Sequence, residues 1–261
     1  MNSKCRINRE VWPTNTTAPT TLAPRVLALF LLAAVVVIGG QNPSVNVGLA
    51  FASPQETKTE QVAATIKANT QALKAFSYQQ RTQLRMKGET KKVTLNQMNY
   101  DANGNLQKIQ LSEEPPPASS SSSGGRLRQR VFARKTGEFK DMMNDITALV
   151  TSYTELPQQQ LQASLQRATF SRGQGDMAGA VQIQMNNVIQ QGDLLLLWID
   201  RTALLFRRVA IATSYEQNPV TVLANYAMLS GGQVYMAQAI LNYPEKQLVL
   251  EIDNLSYQTS Q

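Results

Sequence analysis

Asp141 and Asp145 stand four residues apart with Glu138 three before them, and carboxylates at helical spacing are what general acid and base catalysis would use. The same spacing puts all three on one solvated face of a helix, and that is how we read them, because the chain supplies no catalytic partner. It contains no histidine, and its single cysteine, Cys5, lies ahead of a long apolar run. The commonest general base, the thiolate nucleophile and the usual metal ligands are therefore missing from everything after that run. No Gly-x-x-x-x-Gly-Lys-Ser/Thr phosphate loop, no Gly-x-Gly-x-x-Gly after a strand and no Gly-x-Ser-x-Gly elbow occurs. Glu251 and Asp253 share a face of a strand, again as solvated groups. These residues point to a protein that is not an enzyme and needs neither cofactor nor metal.

Two other groups of side chains carry chemistry of a softer kind. Arg126, Arg128, Arg130, Arg134 and Lys135 form one dense basic cluster, suited to anionic lipid headgroups, a cell-wall polymer or an acidic partner. We read it as the solubilising end of a linker, since Leu127, Val131 and Phe132 are sparse and no aromatic stacking platform accompanies them. Met86, Met98, Met142, Met143, Met185, Met228 and Met236 are ordinary core residues one by one, yet together they suit a lining that adapts to variable apolar ligands.

The elements that must position these residues are legible from periodicity. Val181, Ile183, Met185 and Ile189 alternate with Gln182, Gln184 and Asn186 as a half-buried strand does. Gln191-Gly192-Asp193 turns the chain into Leu194 to Ile199, and Asp200-Arg201-Thr202 turns it back into Ala203 to Ala212. Asn218 to Met228, Val234 to Tyr243 and Gln247 to Asp253 follow, separated by Ser230-Gly231-Gly232 and Pro244-Glu245-Lys246. Connections this short make an antiparallel meander and exclude helical crossovers. Upstream, Glu56 to Ala75 reads as a helix, and Phe76 to Lys87, Lys92 to Tyr100 and Leu106 to Leu111 as three strands around Gly88-Glu89 and Asn103-Gly104. Three strands make too thin a sheet to stand alone, so they are expected to join the meander. Glu113 to Gly125, rich in proline and serine, reads as a flexible insertion. Phe139, Met142, Ile146, Leu149 and Tyr153 step as one apolar helical stripe, Pro157 opens a shorter helix through Leu165, and Ser171 to Gly179 reads as a loop.

The N-terminus reads as an address. Lys4, Arg6, Arg9 and Arg25 precede Val26 to Ile38, thirteen residues without a polar side chain, and Gly39-Gly40-Gln41-Asn42-Pro43 stops that run short of the roughly 20 residues a span requires. Ala50-Phe51-Ala52 fits signal-peptide cleavage after Ala52, giving a signal peptide over 1–52 and a single domain over 53–261 with the insertion at 113–125; an uncleaved anchor extended through Val45 to Ala52 is the alternative. Both place the folded part outside the cytoplasm. The leader takes four of 25 basic and one of 18 acidic residues, leaving 21 against 17, a net +4 that calls for no polyanion partner such as nucleic acid.

The segment LLLLWIDRTALLFRR, Leu194 to Arg208, with Asn225-Tyr226 and Leu229-Ser230-Gly231-Gly232 after it, resembles the LolA/LolB-like periplasmic lipoprotein-carrier superfamily. The resemblance implies an antiparallel sheet folded into an unclosed barrel, with helices across its concave side and an apolar cavity that holds acyl chains. It also implies a periplasmic location and transient membrane contact. The absence of a lipobox argues against the membrane-anchored acceptor. The fold expected is therefore α+β, a curved antiparallel sheet of roughly eight to eleven strands with two or three helices on its concave face. The two longest apolar stripes should face one another across the ligand, making Met142, Ile146 and Leu149 of the helix and Val181, Ile183 and Met185 of the strand the candidate contacts; Trp198, from the segment that carries the resemblance, joins them. The function expected is a non-catalytic lipid or lipoprotein carrier, with an envelope sensor module that contacts a protein partner through Glu113 to Lys135 as the alternative.

Overall fold

The computed structural model describes residues 54–114 and 126–260. The expected leader and its cleavage point lie outside the described residues, as does most of the expected insertion. Helix α1 runs over Pro54–Leu73, and its Ile66 is buried with Val62 packed beside it. Three strands follow as hairpins: β1, Phe76–Met86; β2, Glu89–Tyr100; and β3, Leu106–Glu114. The β2–β3 turn is closed by Asp101, whose carboxylate accepts the backbone N–H groups of Asn103 and Asn105 at 2.9 Å each. Gly104 supplies the positive φ, +78°, that this turn demands.

The expected insertion yields its first two residues to the sheet. Glu113 and Glu114 continue β3 opposite Thr94 and Val93, and Lys92 holds Glu113 at 2.9 Å, so an ion pair extends the ladder past the apolar residues. The basic cluster is not the end of a linker, because Arg126 to Lys135 form the first turns of helix α2, Arg126–Thr154. The segment Arg126 to Thr136 has neither glycine nor proline and is rich in good helix formers, and Arg134 pairs with Glu138 one turn on at 2.8 Å. The buried stripe of α2 is also rotated from the expected one. Met143, Ile146, Val150 and Tyr153 are buried while Phe139, Met142 and Leu149 flank them half-buried. Pro157 precedes helix α3, Gln158–Gln166.

The chain then enters a strand whose second half, Ser171 and Arg172, was expected to be loop. β4, Thr169–Arg172, is short and wholly exposed, and it exists because its backbone completes the outer ladder of β5, Ala180–Asn186. The meander continues through β6, Leu194–Asp200, β7, Phe206–Tyr215, β8, Asn218–Met228, β9, Val234–Tyr243, and β10, Leu248–Thr259. Ile189 belongs to the turn after β5 and not to the strand. β7 starts at Phe206 and not at Ala203, because Asp200 Oδ1 accepts the N–H groups of Thr202 and Ala203 and holds those residues in a turn ending at Leu204, whose φ is +55°.

All ten strands form one antiparallel sheet in the order β3-β2-β1-β10-β9-β8-β7-β6-β5-β4. The first three strands join the meander through β1 against β10, while β3 and β4 remain free edges, so the sheet does not close. Register shifts interrupt five of the nine strand pairs, and bulges of this kind bend and twist a sheet. Helices α1 and α2 bury their apolar residues in the same cluster as one face of the sheet, and α3 adds Leu165 to its margin. The fold is thus α+β, a curved unclosed sheet with its helices on the concave side. Among the described residues no helix is long and apolar enough to cross a membrane.

Candidate functional site

Residues opposed across an antiparallel ladder share a face, and the register draws two apolar rows straight across the concave side. One runs Ile183, Leu197, Val209, Ala224, Ala239, Ile252. The other runs Met185, Leu195, Ile211, Val222, Leu241, Leu250. Each spans six strands, about 24 Å at ~4.8 Å per strand. Ile146 of α2 belongs to the same cluster and is fully buried.

The structure brings six of the seven expected contact residues into that one cluster: Ile146, Ile183 and Met185 in its buried part, Met142, Leu149 and Val181 at its margin. Helix α2 comes closest to β7, and α3 lies over β5. The expected opposition of α2 to Val181, Ile183 and Met185 is not the one found: α2 approaches β7 and α3 is the nearer neighbour of β5, although all these residues belong to one core.

Trp198 stands apart from them. It is opposed to Gln182 and Arg208, on the face away from the helices. There Arg208 Nε donates to Asn225 Oδ1 at 2.8 Å, and its guanidinium meets Asp176 at 2.8 Å. Arg207 donates from Nη1 to the carbonyl of Ala178 at 2.8 Å. The arginines of the Trp198 segment thus clamp the connection between β4 and β5 to the back of the sheet. Glu251 and Asp253 are on the back as well, paired with Arg85 at 3.4 Å and Arg81 at 3.6 Å. Asp141 and Glu138 are exposed, and Asp145 accepts a hydrogen bond from the Tyr215 hydroxyl at 3.1 Å.

Polar latches hold the helices to the concave face. Asn69 of α1 brackets the backbone of Val234, donating to its carbonyl and accepting its N–H, both at 2.7 Å. At the end of α2 the Tyr153 hydroxyl donates to Asp193 Oδ2 at 2.7 Å and lies 2.7 Å from Thr213 Oγ1. Asp193 also accepts the backbone N–H groups of Val188, Ile189 and Gln190 at 2.6–2.8 Å. Burial alone would push the Asp193 carboxyl up, but the Tyr153 hydroxyl and those three amides outweigh it and hold it below the ordinary carboxylate value. Burial first, then the bond to Asp193, pushes the Tyr153 phenol well up, so it stays a neutral donor. Gln160 of α3 donates to the Val188 carbonyl, tying the third helix to the same turn.

A third row breaks the apolar pattern. Asn254 on β10, Gln80 on β1 and Asn96 on β2 are opposed in register, one strand after another, on the concave side. They are 5%, 2% and 0% exposed. Gln80 Nε2 donates to Asn254 Oδ1 at 3.0 Å, and Asn254 Nδ2 donates to the Met236 carbonyl at 2.9 Å. Gln80 Oε1 and both polar atoms of Asn96 have no protein partner. A buried polar atom left without a hydrogen bond costs about 1–3 kcal/mol, so the row is an expensive feature for a core. An aromatic group stands at the same end of the sheet, with Tyr78 stacked on Tyr257 at 4.7 Å and Tyr235 against Tyr257 at 4.3 Å. Burial raises both the Tyr78 and Tyr257 phenols and keeps them neutral.

The amide row went unread in the sequence, although parity offered a signal for Gln80. Gln80 falls in step with Tyr78, Thr82 and Leu84, on the apolar side of an alternating strand, where a polar residue needs a reason. The latches had no such signal, since each joins residues far apart in the chain. Among the described residues no cluster of three or more metal-ligating side chains occurs.

No family model and no curated protein matches the chain. Among solved structures the chain is similar to a LolA superfamily protein from Nitrosomonas europaea, at 10% identity and a TM-score of 0.33 over 73% of this chain and 93% of that one. It is also similar to a DUF1329 family protein from Desulfovibrio piger, at 9% identity and a TM-score of 0.33 over 80% of this chain and 94% of that one, and no residue role is carried over from either.

Proposed function

We propose that this protein is a non-catalytic carrier that shields an acyl chain of a lipid or lipoprotein between its helices and the concave face of its sheet, in an exported, periplasmic setting. The observation that carries the reading is the pair of apolar rows from β5 to β10, which are covered by helices and not by a second sheet. Helices held over such a surface by a few polar latches can part from it without disturbing any backbone ladder. Each CH₂ that then leaves water contributes ~0.8 kcal/mol, so a long chain binds without polar recognition. Met143, Met185 and Met236, all buried in the cluster, can repack around chains of different shape. The resemblance of the Trp198 segment to the lipoprotein carriers points the same way.

The test is to fill the space. Met185 is 1% exposed in the second apolar row and Met142 half-buried at the margin. Met185→Trp is expected to abolish binding of a fluorescent long-chain fatty acid while lowering stability by roughly 1–3 kcal/mol, and Met142→Trp to weaken binding with a smaller change in the melt. Lost stability with unchanged probe binding would place the ligand elsewhere and reject the reading.

A further inference from the structure

The polar row inside the concave face asks for a ligand atom that the apolar rows do not. Asn96 is fully buried with its amide nitrogen and oxygen both free of protein partners, and Gln80 Oε1 beside it is free as well. The other half of Gln80 is committed, since its nitrogen donates to Asn254, which in turn donates to the Met236 carbonyl. That chain of bonds fixes which atoms remain: one NH₂ donor on Asn96, and acceptors on Asn96 and Gln80. The residues that register sets around them are Tyr78, Thr82, Thr94, Met98, Gln110 and Ile252, together with Lys108, which is exposed on β3 opposite Met98. A phosphate or carboxylate would bring no donor to the free acceptors of Asn96 and Gln80. The closest helix-to-sheet approaches, α2 on β7 and α3 on β5, lie toward the other end of the sheet.

We infer that Asn96 and Gln80 form the polar end of the acyl site and recognise a neutral, amide-linked fatty chain. A secondary amide offers a carbonyl to the Asn96 NH₂ and an N–H to Gln80 Oε1 or Asn96 Oδ1, meeting both kinds of free atom at once. An ester offers only the carbonyl and leaves the acceptors unmet. The hydrocarbon then leads away from the row along Leu250, Leu241 and Val222. This inference rests on the carrier reading and adds to it the class of headgroup.

The experiment compares N-ethylhexadecanamide with ethyl hexadecanoate, two probes that differ by N–H against O, for binding to the full-length chain and to Asn96→Leu. A site built to pair an N–H discriminates strongly against the analogue that lacks it, so the wild-type protein is expected to favour the amide by roughly tenfold or more. Asn96→Leu is expected to lose that preference while still binding the ester. Equal affinity of the wild-type protein for both probes would overturn the headgroup assignment and leave the carrier reading standing, and the amide row would then hold water. Undiminished preference in Asn96→Leu would overturn it too. If neither probe binds the wild-type protein, the carrier reading falls and the headgroup site with it. The wild-type comparison decides the matter even if the variant does not fold.

Discussion

Tyr153 and Asp193 are forty residues apart in the chain and meet at 2.7 Å inside the fold. Their bond closes the C-terminal end of α2 onto the turn between β5 and β6, where Asp193 also gathers three backbone amides. Tyr153→Phe removes one donor from a buried carboxylate and is expected to cost about 1–2 kcal/mol in urea or thermal melts. The pH dependence has a definite sign. Because the folded carboxyl of Asp193 lies below its ordinary value, its contribution is complete above the unfolded pKa of about 4 and is lost as pH falls below that toward the lower folded value. Asp193→Asn should thus be less stable at neutral pH, by about 2 kcal/mol, and should decline less steeply than the parent between roughly pH 5 and pH 2. A parallel decline of the two proteins would show that Asp193 is not the group involved. In the sequence Asp193 was visible only as a turn residue after Gly192, because nothing local announces a tyrosine on a distant helix. Met185 and Ile183 were visible, since period-two alternation alone sends them inward.

At the scale of elements, what local periodicity determines was legible and what a partner strand determines was not. Asn218 to Met228 and Val234 to Tyr243 stand where their turn residues put them, because Ser230-Gly231-Gly232 leaves little choice of boundary. Ser171 and Arg172 of β4 were read as loop because the four exposed residues of that strand carry no pattern of their own and gain strand structure only from β5. The first turns of α2 were read as linker because arginines at every second position hide the helical period. The stripe of α2 was placed one residue off, at Met142 and Leu149, although Met143 and Val150 are the buried pair. Besides burying Ile66 and Val62, helix α1 is tied to the sheet by Asn69, which acts as a strand partner to Val234. Asn69→Ala leaves two backbone groups at the start of β9 without their partner and is expected to cost about 1–3 kcal/mol. Hydrogen exchange should rise along Glu60 to Leu73 while the β1–β2 ladder keeps its protection. Equal loosening of both would show that α1 and the sheet open as one unit.

The described residues form one sheet that does not close, with β3 and β4 as its edges and the helices laid along the inside. That the first three strands join the meander followed from hairpin-length connections and from three strands being too few to stand alone, while their joining through β1 and β10 is known only from the structure. The curvature follows from bulges, which depend on register and cannot be read from one strand at a time. The edges are guarded in the ways free edges need: β4 is four residues long, and β3 carries Lys108 and Glu113 beside its exposed apolar residues Ile109 and Leu111. The central claim is that the helix-covered face exists to hold an acyl chain, and native mass spectrometry of the chain purified from an exported fraction tests it most directly. The account predicts a folded protein carrying the mass of one acyl-bearing molecule, released on solvent extraction and regained on incubation with lipid vesicles. A folded protein of bare polypeptide mass, both as purified and after that incubation, would contradict it.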